Sequence, residues 1–127
     1  MFAGKPVLVS VQSVACPSCI LQLIRQLEEI SRVPAVQEGK IIVVSLDIDP
    51  SENAGFIASY HDRFNFTGYT AHSPTDLSVN LFHTFGPFAI DPATVPVILV
   101  CPDGRDLLLP TGVKTAENFN ATLVKEC

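Results

Sequence analysis

Two cysteines stand three positions apart in the stretch Val14-Ala15-Cys16-Pro17-Ser18-Cys19-Ile20, just past an apolar run. A CxxC pair has three chemical uses: a disulfide that opens and closes, half of a metal site, or a structural staple. Two more cysteines, Cys101 and Cys127, lie far along the chain, and the only histidines are His61, His72 and His83. The carboxylates show no convincing catalytic pair. Asp47 and Asp49 follow an apolar run and read as a polar strand end. No phosphate-binding glycine loop is present.

Which use applies depends on the elements that hold the pair. Val7-Leu8-Val9-Ser10-Val11 is short and β-branched and reads as a buried strand. From Pro17 the period changes. Ile20, Leu21, Leu23, Ile24, Leu27 and Ile30 recur at helical spacing, and Gln22, Arg25, Gln26, Glu28, Glu29 and Arg32 fill the other face. Pro17 suits a first helical turn, where a missing N–H costs nothing, and Pro34 ends the helix. Ile41-Ile42-Val43-Val44-Ser45-Leu46-Asp47 is a second buried strand, so the order implies a parallel βαβ unit.

Asp49-Pro50-Ser51 then predicts a turn and helix start, with Phe56, Ile57, Tyr60 and Phe64 on one face. The stretch from Asn65 to Pro74 reads as loop-like or extended. Ser73-Pro74 opens a helix carrying Leu77, Leu81, Phe82 and Phe85, which Gly86-Pro87 stops. Val95-Pro96-Val97-Ile98-Leu99-Val100 is a third strand. The turn Pro102-Asp103-Gly104-Arg105 joins it to Leu107-Leu108-Leu109 as a hairpin. Gly112 ends that hairpin, and Thr115 is the expected N-cap of a last helix with Phe119 and Leu123. The expected order is β, α, β, α, α, β, β, α.

This order puts Cys16 at a strand-to-helix junction. The first N–H groups of a helix lack intrahelical partners and the dipole is positive there, so a thiolate at Cys16 is favoured and its pKa should be lowered. Cys19 lies one turn further in and should be more buried. The expected roles are Cys16 as attacking thiol and Cys19 as resolving thiol. Pro17 rigidifies the turn, and Ser18 can donate a hydrogen bond to sulfur. Cys101 reads as a free buried cysteine and Cys127 as a mobile terminal residue, with a disulfide between them as the alternative.

At 127 residues and 47% apolar content, one domain with an ordinary core is expected. The net charge is −5 and the eight Lys and Arg are scattered, which argues against nucleic acid and anionic membrane surfaces. No apolar run reaches the roughly 18 residues of a membrane span. No signal-peptide pattern is visible, since Met1-Phe2-Ala3-Gly4-Lys5-Pro6 leads straight into the first strand. Four cysteines are too few for a disulfide-built scaffold and do not set the compartment.

Taken in order, the CxxC after the first strand, the Val95-Pro96 step, the turn Pro102-Asp103-Gly104 and Gly112 before the last helix resemble the thioredoxin superfamily over nearly the whole chain. Within it, Phe2-Ala3-Gly4-Lys5-Pro6-Val7-Leu8-Val9 and Val44-Ser45-Leu46-Asp47-Ile48-Asp49 look most like the TlpA/ResA-type thiol–disulfide oxidoreductases, with Sco-type proteins as relatives. The resemblance implies an α/β, thioredoxin-like fold: a central mixed β-sheet flanked by helices in one domain over residues 1–127. It also implies an extra helical and extended insertion around residues 50–93. The hairpin that usually precedes the first core strand is absent. Three positions depart from the pattern. Ala15 stands where tryptophan is common, Ser10 where thioredoxin carries an aspartate, and Gln22 where many TlpA/ResA-type proteins carry a glutamate.

The resemblance further implies that Pro96 carries a cis peptide bond against the CxxC, and that Val95, extended, offers backbone polar groups to a bound substrate chain. Phe88 would extend this surface as an exposed apolar residue, while Phe82 and Phe85 belong to the core. The implied function is thiol–disulfide exchange on protein substrates, with a redox partner protein and no small-molecule cofactor. The resemblance favours an extracytoplasmic location, with a cytoplasmic one as the alternative, and a monomer is expected. The alternative is a copper(I)-handling, Sco-like thiol protein with His83 as the best-placed third ligand. Sco-type motifs, however, separate their cysteines by three residues rather than two. A third reading is an interaction module with a static disulfide.

Overall fold

The computed structural model describes residues 4–13, 16–65 and 67–127. Ala15, the lead-in residues Phe2 and Ala3, and Phe66 lie outside the described residues. Five strands form one sheet in the order β3-β2-β1-β4-β5, where β1 is Val7–Gln12, β2 Ile42–Asp47, β3 Tyr69–His72, β4 Val97–Val100 and β5 Asp106–Leu108. Strands β1, β2 and β3 run parallel, β4 is antiparallel to β1, and β5 is antiparallel to β4. The expected mixed sheet with its terminal hairpin is present.

Helix α1 (Pro17–Ser31) crosses from β1 to β2 and buries Cys19, Ile20, Leu23, Leu27 and Ile30. Ile20, Leu23, Leu27 and Ile30 pack with Leu8, Val43, Val97 and Leu99 of the sheet and with Phe119 of the last helix, α5 (Ala116–Glu126). Pro34 ends α1 as expected and also opens a one-turn helix, α2 (Pro34–Gln37). The helix expected at Asp49-Pro50-Ser51 starts later. There the Asp49 carboxylate accepts the Ser51 N–H at 2.9 Å and its hydroxyl at 2.7 Å, closing a side-chain turn. The Asn53 side chain then caps α3 (Ala54–Phe64) through the Phe56 N–H at 2.9 Å.

The segment read as loop-like or extended contains β3, an edge strand paired with β2. Its approach needs Gly68, at φ +82°, because a Cβ there would lie 2.2 Å from the Val43 carbonyl oxygen. Helix α4 (Thr75–Phe85) has no buried residue. The expected core placement of Phe82 is therefore corrected: it is exposed, and Phe85 is half-buried. Two 3-10 turns, Pro87–Ile90 and Pro92–Thr94, carry the chain back to β4.

Cys101 and Cys127 are joined by a disulfide, which corrects the expectation of a free Cys101 and a mobile terminus. Helix α5 returns along the sheet and brings its last residue to the β4–β5 turn, where Arg105 also donates to the Glu126 carbonyl. The bond closes a loop across a separation of 26 residues, worth about 3 kcal/mol by chain-entropy reasoning. A Cys101→Ser/Cys127→Ser double variant should therefore melt roughly 10 °C lower than the parent. Thermal unfolding followed by circular dichroism would show it, and an unchanged midpoint would mean the bridge contributes nothing.

Candidate active site

The CPSC stretch sits where the period changes from strand to helix. Cys16 is the N-cap of α1, with extended backbone at φ −91° and ψ 109°, and Pro17 occupies the first helical position. The Cys16 Sγ accepts the Cys19 N–H at 3.2 Å, so a free donor of the first helical turn points at the outer sulfur. The Ser18 hydroxyl lies 3.5 Å from the same sulfur. Cys16 and Cys19 are disulfide-bonded across a Cα separation of 5.1 Å. Cys16 is half-buried, whereas Cys19, in the first turn of α1, is only 7% exposed. This is the outer-and-inner arrangement expected from the spacing.

Val95 and Pro96 reach the same end of the sheet. The Pro96 carbonyl accepts the Val11 N–H at 3.1 Å, one residue beyond the Ser10–Val97 pair of the β1–β4 ladder. Two expectations are corrected here. Among the described residues no peptide bond is cis, so Val95–Pro96 is trans. Val95 is not extended but left-handed, at φ 53° and ψ 61°. The left-handed residue redirects the chain into β4, and trans is the lower-energy isomer of an X–Pro bond. For a β-branched residue this conformation is strained, by roughly 1–3 kcal/mol.

The polar groups of Val95 face inward. Its N–H donates to the Pro92 carbonyl at 3.1 Å, and its carbonyl accepts the Lys114 ammonium. Val95 and Pro96 are both buried. Pro17, Ser18 and Leu21 of α1 are exposed, and so is Phe88, at 58%. The Phe88 carbonyl is held by the Thr94 hydroxyl at 2.9 Å, which ties it to the turn before Val95.

The histidines lie elsewhere. His61 Nε2 donates to the Gly68 carbonyl at 2.9 Å, and His72 Nε2 to the Asp49 carbonyl at 2.8 Å. His83 stands exposed on α4 beside Phe82. Among the described residues no three His, Cys, Asp or Glu side chains gather as a metal site, so His83 does not join the cysteines as a third ligand.

Three buried polar side chains were not legible as such. Asp47, read as a polar strand end, is 0% exposed and meets the buried Glu52. Burial, followed by hydrogen bonding with Glu52, pushes its carboxyl up to about 8. It belongs to a polar half-face: Ser10 and Gln12 of β1, Ser45 and Asp47 of β2, and Thr70 and His72 of β3 stand side by side in register. Alternation could have flagged it, since Val43, Ser45 and Asp47 share a face. Gln26, expected on the exposed face of α1, is fully buried and bonds the Lys114 backbone. Lys114 itself is 5% exposed; between Gly112-Val113 and an N-cap nothing local marks it as buried.

No protein-family model matches the sequence, and no curated protein matches it. Solved structures do. A secreted disulfide oxidoreductase of Mycobacterium tuberculosis superposes with a TM-score of 0.64 at 12% identity, covering 98% of this chain and 84% of that one. A thiol:disulfide interchange protein of the thioredoxin family from Chlorobium tepidum gives 0.66 at 13% identity, covering 98% and 81%. ScoI of Bradyrhizobium japonicum with copper bound gives 0.67 at 18% identity, covering 99% and 87%. The strand order, the helix after β1 and these superpositions together establish that the chain has a thioredoxin-like fold.

Proposed function

We propose that this protein exchanges disulfides with protein substrates through Cys16 and Cys19. The observation that carries this reading is the CPSC pair itself: a half-buried outer sulfur facing the Cys19 N–H at a helix start, with a buried partner sulfur in bonding reach. Cys16 is the nucleophile and Cys19 the resolving thiol. Pro17, Ser18 and Phe88 form the contact surface, and Val95 and Pro96 shape it from behind. In the reducing direction the Cys16 thiolate attacks a substrate disulfide, forming a mixed disulfide and expelling one substrate thiolate. Cys19 then loses its proton to solvent, attacks Cys16 Sγ and expels the second, which leaves the protein oxidised and the substrate as a dithiol. A redox partner resets the pair, and no small-molecule cofactor is needed. The likeness to the disulfide oxidoreductase and the interchange protein supports this reading.

The test is the equilibrium reduction potential of the Cys16–Cys19 pair in dithiol buffers with mass detection, with the Cys101→Ser/Cys127→Ser variant isolating the pair. A value near about −270 mV marks a reductant and one near about −120 mV a disulfide donor. A pair that never cycles overturns the proposal.

A further inference from the structure

Lys114 holds a position at which an apolar side chain would be the ordinary choice. It is almost wholly buried just before α5. Its backbone is clamped by the Gln26 side chain of α1, whose Nε2 donates to the Lys114 carbonyl at 2.9 Å and whose Oε1 accepts the Lys114 N–H at 2.8 Å. Glu29, one turn on, accepts the Ala116 N–H at 3.0 Å. The ammonium group donates to the Val95 carbonyl at 2.5 Å and to the Pro110 carbonyl at 3.0 Å. One residue thus links three places: its backbone bonds the helix that carries the CPSC pair, and its side chain bonds the loop that precedes β4 and the segment that leads into α5.

A buried amine is costly unless it is well bonded, and a strained left-handed valine persists only where its surroundings over-determine it. The two features meet in a single hydrogen bond. We propose that Lys114 is a positioning residue for disulfide exchange: its ammonium group holds the Val95–Pro96 loop in the shape that receives the substrate beside Cys16. This rests on the exchange reading above. Lys114 touches neither substrate nor sulfur; it acts through the loop.

The charged amine bonds carbonyls more strongly than the neutral one, so the brace should slacken when Lys114 loses its proton. Burial lowers its pKa from the usual lysine range to about 8, and no charged partner contributes to that shift. The charged groups on the elements around it are bound elsewhere or outward: Glu29 to Arg32 and Ala116, Asp91 to the Ala93 N–H, and Glu117 exposed on the first turn of α5.

The experiment has two arms. In the oxidised protein, the Lys114 side-chain and Val95 carbonyl carbon resonances are followed by NMR from pH 6.5 to 10. Both should move with one midpoint near 8, and in Lys114→Met the Val95 signal should be shifted at every pH and no longer titrate. In the second arm, reduction of a disulfide-bridged model peptide should show a KM about 10-fold higher in Lys114→Met, with kcat within about 2-fold. Lys114→Arg, which keeps a permanent charge, should recover part of the affinity and lose the pH dependence of KM. A lysine that titrates near 10.5 while Val95 stays still overturns the proposal, as does a KM unmoved by either variant. If the parent protein reduces no peptide while the two resonances titrate together, the exchange reading fails and the brace stands as a structural link alone.

Discussion

Cys16→Ser should abolish disulfide exchange, a loss of ~10³-fold or more, while Cys19→Ser should capture substrate as a stable mixed disulfide. The asymmetry follows from the two environments. Cys16 is half-buried, with Pro17 and Ser18 exposed beside it, so an incoming disulfide can approach its sulfur. The Cys19 N–H points at that sulfur and stabilises it as a thiolate, both as attacking group and as leaving group. Cys19, in the first turn of α1, is buried and out of reach of a folded substrate but next to Cys16. Removing Cys16 leaves only the buried sulfur of the pair. Removing Cys19 leaves the first step intact and deletes the second. Non-reducing gels and intact-mass analysis of each variant with a disulfide-bridged peptide report both outcomes. Adducts forming on Cys19 in Cys16→Ser, at the rate seen for the parent, would reverse the assignment.

The second large effect concerns stability and pH. Asp47 has its folded pKa raised to about 8, first by burial and then by hydrogen bonding with Glu52, whereas in the unfolded chain it returns to about 4. Between those values the folded state holds a proton that the unfolded state has released, so stability falls as pH rises through this window. The slope is at most about 1.4 kcal/mol per pH unit, so the parent should lose on the order of 4 kcal/mol between pH 5 and pH 8. Asp47→Asn should remove most of that slope. An amide oxygen can still accept the Asp49 N–H that Asp47 Oδ1 accepts at 2.8 Å, and the amide N–H₂ can donate to Glu52. Lys114 works in the opposite sense at higher pH. Its folded pKa of about 8 lies below that of the unfolded chain, so stability recovers from pH 8 to about 10.5. The parent should therefore be least stable near pH 8. Urea unfolding from pH 5 to pH 10 maps this trough. Parallel curves for the parent and Asp47→Asn would show that Asp47 is not protonated in the folded state.

Much of the frame was legible because it is written in local patterns. The shift from β-branched runs to 3.6-residue spacing at Pro17 marked the β1–α1 junction and put Cys16 at a helix start. Thr115 caps α5 through the Asn118 N–H, as its place before the last apolar repeat implied. Pro34 and Gly86 end their helices because one lacks a donor and the other can turn where a side chain cannot. The residues alone therefore gave away most of the elements in order and the place of the CxxC pair at a helix start, though not β3 or α2, since these features depend on residues within a turn or two of one another.

The remaining features come from contacts made across the fold. Cys101 meets Cys127 only because α5 runs back along the sheet. Val95 is left-handed because the chain must enter β4 in register with β1, and its carbonyl finds Lys114 across 19 positions. The Asp47 carboxyl is pushed up because its strand lies inside the sheet and Glu52 meets it there. Gln26, polar by type, is buried by bonding the Lys114 backbone across 88 positions, and the Lys114 ammonium by bonding the Val95 and Pro110 carbonyls. The disulfide, the Val95 carbonyl and the Gln26 amide each meet a partner far away in the chain, and no local pattern of spacing records such a partner.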